Sequence, residues 1–226
     1  MKKAILWGAL MLGATIGGFS QYRFEETIPS TYGNYLYAQD LDSATSQYIA
    51  TGYISLLGRN SKDILLVKWS DNPGYIWVNR YTGPSTYADI GRHVMKTTDG
   101  GYLISGTSNS FTSGGNYDGL TFKTNNNGVV QWAEYFGESY NDYALSSCET
   151  ANYYYVAGKI GLSSTAYQTN GLIMCFNKST GALVWGKRYK NYNNAYYQAF
   201  NSIIVGYDGY LYVSGTAISS TASSVV

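Results

Sequence analysis

The segment TTDGGYLISG, from Thr97 to Gly106, decides the fold, because three variants of it occur elsewhere in the chain. The variants are SQYIATG, NYYYVAG and DGYLYVSG, and the four copies end at Gly52, Gly106, Gly158 and Gly215. These final glycines are separated by 54, 52 and 57 residues. A nearly constant period of this length is typical of propellers and other repeat architectures.

Each repeat contains four short runs of strand-forming residues. In the unit 99–150 the runs are Gly101–Thr107, Asp118–Thr124, Val129–Phe136 and Tyr143–Thr150, and clusters of Gly, Asn, Ser and Asp separate them. Four strands per unit of about 54 residues predict an all-β fold, a β-propeller of four-stranded antiparallel blades. A unit of this size cannot bury both faces of its sheet alone, so successive units must stack.

Other residues keep the spacing of the repeat. Trp77, Trp132 and Trp185 each follow a recurrent glycine, and Asp63 and Asp118 each open an apolar run. One indole buries about 150–250 Å², so we interpret the three tryptophans as packing groups between blades. Stacking of a ligand on these indoles is the alternative.

Three strings in the second unit carry a family resemblance. They are TxDGGYLISG (97–106), DxLxxK (118–123) and GxxxW (128–132), and they resemble the blade repeats of exported bacterial β-propeller proteins. They are distantly similar to quinoprotein-like and kelch-type propellers. The resemblance covers about residues 22–217 and implies an architecture and export, but no catalytic residue.

The repeats predict about three full blades with a partial blade at each end. The predicted segments are a partial blade 22–42, full blades 46–97, 99–150 and 152–205, a partial blade 208–217, and a loop or truncated end 218–226. We expect this chain to be a piece of a larger ring. A closed four-bladed ring, and completion of the ring by another copy of the chain, are the alternatives.

The N-terminus has the pattern of a signal peptide, residues 1–20. Lys2 and Lys3 precede the apolar run 4–18, and small residues stand at the third and first positions before a cut after Ser20. This run is shorter than the roughly 20 residues that span a bilayer. We therefore predict a secreted or cell-surface protein that is not inserted in the membrane after cleavage.

Composition excludes some classes of protein. The 226 residues are 16% aromatic, with 25 Tyr, and the formal net charge is +1. Abundant aromatics and a low net charge argue against intrinsic disorder and give no electrostatic footprint for nucleic acid. Cys148 and Cys175 fall on non-equivalent strands of neighbouring units, so we predict buried free thiols rather than a disulfide.

Tyrosines in the longer connections are the predicted ligand-binding residues. Antiparallel connectivity places these connections on one face of the propeller and the short turns on the other. Tyr87, Tyr140, Tyr192 and Tyr196 lie there among small polar residues, a composition suited to recognition. We predict that they bind carbohydrate or a surface protein. A chain that is rich in Tyr throughout is the alternative.

Candidate catalytic and metal-binding residues are few. Asp89 and Asp142 recur at equivalent places, where they would bind a cation or backbone amides, and we predict no metal. His93 is the only histidine, and no catalytic residue or cofactor is predicted. We expect an exported, non-catalytic binding or adhesion scaffold. The alternative is a propeller enzyme, a glycosidase or quinoprotein-like oxidoreductase, with an active site partly outside this stretch.

Overall fold

The structure is a computed structural model and describes residues 33–42, 45–55, 61–70, 75–84, 87–111, 115–164, 168–190, 197–218 and 223–225. The predicted signal peptide and two of the predicted ligand-binding residues, Tyr192 and Tyr196, lie outside these ranges. In the ranges described, no helix is long and apolar enough to cross a membrane.

The described part of the chain contains fifteen β-strands. They are β1 (Asn34–Asp42), β2 (Gln47–Ser55), β3 (Lys62–Ser70), β4 (Tyr75–Tyr81), β5 (Asp89–Lys96), β6 (Tyr102–Ser108), β7 (Asp118–Thr124), β8 (Val130–Phe136), β9 (Tyr143–Glu149), β10 (Tyr153–Gly161), β11 (Thr169–Asn177), β12 (Leu183–Tyr189), β13 (Tyr197–Val205), β14 (Leu211–Ile218) and β15 (Ser223–Val225).

The strands form four sheets, in which strand order equals chain order and all neighbours are antiparallel. Sheet I contains β1–β4, sheet II β5–β8, sheet III β9–β12 and sheet IV β13–β15. Within the described residues, no sheet closes on itself. The all-β class and the four-stranded antiparallel sheets are confirmed, and the number of blades in the ring stays a prediction.

The strands are grouped differently from the predicted repeat units. The predicted unit 99–150 ends with the run Tyr143–Thr150, but β9 pairs with β10 and is the first strand of sheet III. Strands β5 and β13 are shifted in the same way. A tandem repeat has the same sequence pattern wherever counting starts, so only the hydrogen bonds decide which strand pairs with which.

Within the segment 218–226, predicted as a loop or truncated end, residues 223–225 form a strand. Strand β15 lies in this segment and pairs with the end of β14, with Thr216 opposite Val225 and Ile218 opposite Ser223. Ladder hydrogen bonds join backbone groups, so a short Ser-Ser-Val segment extends the sheet although it contains no run of apolar residues.

Successive sheets pack face to face, and the cores lie between them. Ile49 and Leu66 of sheet I pack with Tyr102 and Phe122 of sheet II. The middle strands β6 and β7 are buried at every position, because a neighbouring sheet covers each of their faces. The outer strands β8 and β12 are largely exposed.

The recurrent tryptophans lie on the outer strands. Trp77 contacts the ring of Tyr102 in the next sheet, at 6.0 Å between ring centroids. Trp132 contacts the next sheet in the same way, whereas Trp185 is 40% exposed and its ring contact is with Tyr155 of its own sheet. The indoles at the first two positions are therefore inter-sheet packing groups.

The two cysteines are free and buried, as predicted. They lie in one sheet rather than in neighbouring units, because Tyr155 of β10 pairs with Cys148 of β9 on one side and Cys175 of β11 on the other. Two strand spacings are about 9–10 Å, which exceeds the reach of a disulfide.

The first strands of the sheets, β1, β5, β9 and β13, converge on one axis. His93 Nδ1 of β5 lies 3.0 Å from Ser147 Oγ of β9, and the backbone N–H of Ile203 in β13 donates to Ser146 Oγ. These contacts, and that of the Lys96 N–H with Asp40 of β1, join positions about one residue apart in the repeat, so the four strands run in the same direction. The axis has a short-turn end, where each first strand turns into its second strand, and a long-loop end, where each first strand begins.

Candidate functional site

Each first strand carries a β-bulge at the same position. The register slips between Leu36 and Ala38 in β1, between Gly91 and His93 in β5, and at the matching points of β9 and β13. The extra residues are Tyr37, Arg92, Leu145 and Asn201. A bulge twists its strand and redirects side chains, and bulges are frequent beside functional sites.

The recurrent glycines of the repeat lie opposite these bulges. Gly52, Gly106, Gly158 and Gly215 are the partners at the slip. A Cβ on Gly106 would lie 2.1 Å from the carbonyl oxygen of Ile90, and the other three would come within 1.8–2.0 Å of the matching carbonyl oxygen. Only glycine permits this approach of the two backbones, which explains why each copy of the repeat segment ends in Gly.

Cations and tyrosine rings alternate at the long-loop end of the axis. Arg92 Cζ lies 5.8 Å from the ring centroid of Tyr37 and 5.3 Å from that of Tyr143. Lys159 Nζ lies 4.4 Å from the centroid of Tyr143 and 4.8 Å from that of Tyr197. We call these five residues the axial row. It crosses all four sheets, because its members lie on β1, β5, β9, β10 and β13.

The two cations of the axial row form no ion pair with a carboxylate in the described part of the chain. Among the described residues, neither Arg92 nor Lys159 forms a salt bridge or a hydrogen bond, and Arg92 Nε is shielded from solvent. Burial, and then the charge of Arg92, lower the pKa of Lys159. The row therefore combines aromatic faces with positive charge and free hydrogen-bond donors.

A cavity of about 470 Å³ follows the axis beyond the row, between the four first strands. Its polar lining residues include Asp40, His93, Ser146, Ser147, Glu149 and Ser202. Arg92 of the axial row and His93 of the cavity lining are consecutive residues of β5. Burial lowers the pKa of His93, so its ring is neutral at pH 7 and its Nδ1 contacts the Ser147 hydroxyl.

The carboxylates of this cavity are engaged by neighbouring chain segments. Asp40 Oδ2 accepts a hydrogen bond of 2.7 Å from the backbone N–H of Lys96. Glu149 accepts hydrogen bonds from the backbone N–H and the hydroxyl of Thr98, at 2.8 and 2.9 Å, and pairs with Lys178. Both carboxylates therefore tie adjacent sheets together.

The recurrent aspartates hold the long loops. Asp89 accepts hydrogen bonds from the backbone N–H of Gly83, at 2.7 Å, and from two serine hydroxyls. Asp142 accepts from the backbone N–H groups of Glu138 and Gly161, at 2.6 and 2.7 Å. No group of three or more His, Cys, Asp or Glu side chains suited to a metal occurs in the part of the chain described. Asp89 and Asp142 thus both accept hydrogen bonds from backbone amides of the long loops.

Two buried carboxyls adjoin each other in the second of these loops. A Cβ on Gly137 would lie 2.3 Å from Asp118 Oδ1 and 2.6 Å from Asp142 Oδ2. Burial raises the pKa of Asp142 to about 7, and the charge of Asp118 adds to the rise. Burial also raises the pKa of Asp118. The equivalent residue in sheet I, Asp63, pairs with Arg80 Nε at 3.5 Å.

The predicted ligand-binding tyrosines and the axial row are different residues. Tyr87 is 50% exposed in the connection from β4 to β5, and Tyr140 lies in the connection from β8 to β9. Both are on the long-loop face, as their connections predict, but neither belongs to the row. The bulge residues Tyr37 and Arg92 were missed, and the recurrent glycines opposite them were the available signal.

Comparisons with known proteins support the architecture. No family model and no curated protein matches the chain. It is similar in structure to an exo-1,5-α-L-arabinanase from a bovine ruminal metagenomic library, with a TM-score of 0.51 and 12% identity over 86% of this chain and 74% of that one. An α-L-arabinanase of Cellvibrio cellulosa has a TM-score of 0.51 and 13% identity, over 86% and 73%. Both are β-propellers, so the likeness shows a propeller-like fold and, at this identity, the fold alone.

Proposed function

We propose that this chain is a non-catalytic, carbohydrate-binding β-propeller protein that acts outside the cell. The axial row carries the proposal, because three tyrosine rings and two cations alternate at the long-loop end of the axis. Tyrosine offers a rigid aromatic surface at low entropic cost, and loops at the end of a rigid scaffold are a common place for binding. The extracellular location rests on the signal-peptide pattern of residues 1–20.

The hydrogen bonds of the cavity carboxylates, Asp40 and Glu149, support a non-catalytic role. Glycoside hydrolysis uses one carboxyl group as an acid and another as a nucleophile or base. Asp40 and Glu149 are the carboxylates of the cavity, and both are bound to backbone amides of the neighbouring sheet. A carboxylate that holds two sheets together is poorly placed to exchange protons with a substrate.

A glycosidase is the second candidate function. The likeness in fold to two arabinanases favours it, as does the position of Asp40 and Glu149 in a single cavity. In either case we propose that the four sheets are consecutive blades around the axis, and that further blades or a second copy of the chain complete the ring.

Binding and turnover measured on the same polysaccharides separate the two functions. The mature chain would be titrated calorimetrically with a panel of plant and bacterial polysaccharides, arabinan included, and the products assayed for new reducing ends. We expect binding without release of reducing ends. Turnover without stable binding would contradict the proposal in favour of the glycosidase.

Matched variants test the location of the binding site. Tyr37→Ala removes an exposed ring of the axial row, and Tyr87→Ala removes an equally exposed ring elsewhere on the long-loop face. Loss of one stacked ring should weaken binding about fivefold or more in Tyr37→Ala, at about 1 kcal/mol per aromatic contact, and leave Tyr87→Ala unchanged. The opposite pattern would place the ligand on the loop tyrosines.

A further inference from the structure

The charges of the axial row are unbalanced in a way that points to the chemistry of the ligand. Arg92 and Lys159 approach the ring of Tyr143 at 5.3 and 4.4 Å. Other described cations, such as Lys96 and Lys178, form ion pairs with carboxylates. Partly buried cations are costly unless an anion accompanies them, and these two repel each other as well.

The carboxyl of Asp142 acts on this pair without neutralising it. Asp142 interacts electrostatically with Lys159, but its oxygens accept hydrogen bonds from the backbone N–H groups of Gly161 and Glu138. Burial raises the pKa of Asp142 to about 7, so this carboxyl is only partly ionised at neutral pH. The axial row therefore keeps a positive charge that an incoming anion would meet.

We propose that the axial row binds an acidic polysaccharide, with Arg92 and Lys159 on the carboxylate of a uronic acid and the tyrosine rings against the sugar faces. This inference rests on the proposed carbohydrate-binding function and names its ligand class. A guanidinium matches a carboxylate through two parallel hydrogen bonds, and the guanidinium of Arg92 forms no hydrogen bond or ion pair within the described residues. Lys159 adds a point charge from the neighbouring sheet.

The flanking rings favour a sugar acid over a free inorganic anion. The rings of Tyr37, Tyr143 and Tyr197 flank the two cations of the row. A sugar ring has a face that can stack on these tyrosines, whereas a phosphate has none. Tyr37 is 53% exposed, so the row is open to solvent at the β1 side. An extended polymer reaches such an open row from the long-loop end.

The test compares one polymer in two charge states. The mature chain would be titrated with polygalacturonate and with its methyl-esterified form, each at low and at 0.5 M salt. We expect polygalacturonate to bind at least about tenfold more tightly than the ester, with an advantage that shrinks as salt screens the charges. Equal affinity for the two forms would overturn the inference but leave the proposed function standing. Absence of binding to every polysaccharide would instead contradict the proposed function.

Variants assign the effect to the two cations. Arg92→Gln and Lys159→Gln should each lower the affinity for polygalacturonate at least about tenfold. Arg92→Lys, which keeps the charge, should lower this affinity less than Arg92→Gln does. Lys187→Gln is the matched control, because Lys187 also lies over a ring, that of Tyr189, but on the outer strand β12. Unchanged affinity in both glutamine variants would overturn the inference.

A thermal melt and a competition experiment separate recognition of the sugar acid from unfolding of the variant and from general anion binding. Arg92→Gln removes one of two repelling cations, so we expect its thermal midpoint to be no lower than that of the unmodified chain, and lost binding then reports lost recognition rather than unfolding. Inorganic phosphate is the competitor probe. Displacement of polygalacturonate by phosphate as effectively as by free galacturonate would overturn the inference in favour of a general anion site.

Discussion

Replacing the tryptophan of sheet II is the most direct test of how the sheets are held together. Trp132 lies on β8 and contacts two rings of sheet III. Its centroid is 6.1 Å from that of Phe176, at an interplanar angle of 25°, and 6.1 Å from that of Tyr154, at 40°. Gly181 faces the same indole, and a Cβ there would lie 2.5 Å from the ring. Trp132→Ala therefore opens a gap between two sheets.

The expected loss follows from these contacts. Removing a fully buried Trp costs about 3–5 kcal/mol, and Trp132 is partly buried. Each aromatic pair adds about 0.5–1.5 kcal/mol beyond area burial. We expect Trp132→Ala to lower the free energy of unfolding by about 2–4 kcal/mol. Trp185 occupies the equivalent repeat position but is 40% exposed, so Trp185→Ala should cost less than about 1 kcal/mol.

Equilibrium unfolding in urea, followed by far-ultraviolet circular dichroism, measures both losses. The pair of variants changes the same residue type at the same repeat position, so intrinsic strand propensity cancels and the difference reports packing on the next sheet. Equal losses for Trp132→Ala and Trp185→Ala would refute the argument. A loss below about 1 kcal/mol for Trp132→Ala would also refute it, since the indole would then contribute no inter-sheet packing.

Three further predictions concern turns, protons and thiols. Gly100 and Gly181 both have positive φ, 84° and 74°, but only a Cβ at Gly181 would strike a neighbouring ring. In urea titrations, Gly100→Ala should lower the free energy of unfolding by about 1 kcal/mol, and Gly181→Ala should lower it more. Equal losses in the two variants would contradict the packing of Gly181 against Trp132. Burial raises the pKa of Asp142 from 3.8 to about 7, so the native state favours the protonated carboxyl. The stabilisation by this protonated carboxyl is fully present below about pH 4 and is lost as the pH rises through 7, at about 1.4 kcal/mol per unit of pKa shift. Asp142→Asn should abolish that slope in pH-dependent melts, and an identical slope in the variant would contradict the assignment. Cys148 and Cys175 should titrate as two thiols in denaturant and stay unreactive in the native state, and detection of fewer than two in denaturant would indicate a disulfide.

The strands themselves were largely predictable from the sequence. The predicted run Asp118–Thr124 coincides with β7, and Val129–Phe136 exceeds β8 by one residue. Apolar and β-branched runs between turn residues are local signals, and two of the glycines between the strands, Gly128 and Gly181, have positive φ. The sequence did not predict which four strands form one sheet. Strand β9 pairs with β10, but the repeat pattern is the same whether β9 is counted as the last strand of one unit or the first strand of the next.

The recurrent glycines mark where the bulges lie, but which side chains meet in the axial row depends on tertiary packing. Arg92 stands in a strand of mixed composition, and its position at the axis depends on a single extra residue in the β5 ladder. Lys159 links Tyr143 of its own sheet to Tyr197 because sheet III stacks on sheet IV, which brings the ring of Tyr197 within 4.8 Å of its amine. Both facts concern tertiary packing, whereas sequence reasoning located only the loops that surround this end.

The repeat that specifies the fold also determines what faces the axis. The glycine that ends each repeat segment allows a bulge in the adjacent first strand, since any Cβ there would collide with the backbone. That glycine is constant in all four copies, whereas the bulge residues are Tyr37, Arg92, Leu145 and Asn201. A constant backbone therefore carries a different side chain at each bulge. Exchanging the bulge residues changes the chemistry of the site without changing the sheets, so the cation at Arg92 is a property of the site and not a requirement of the fold.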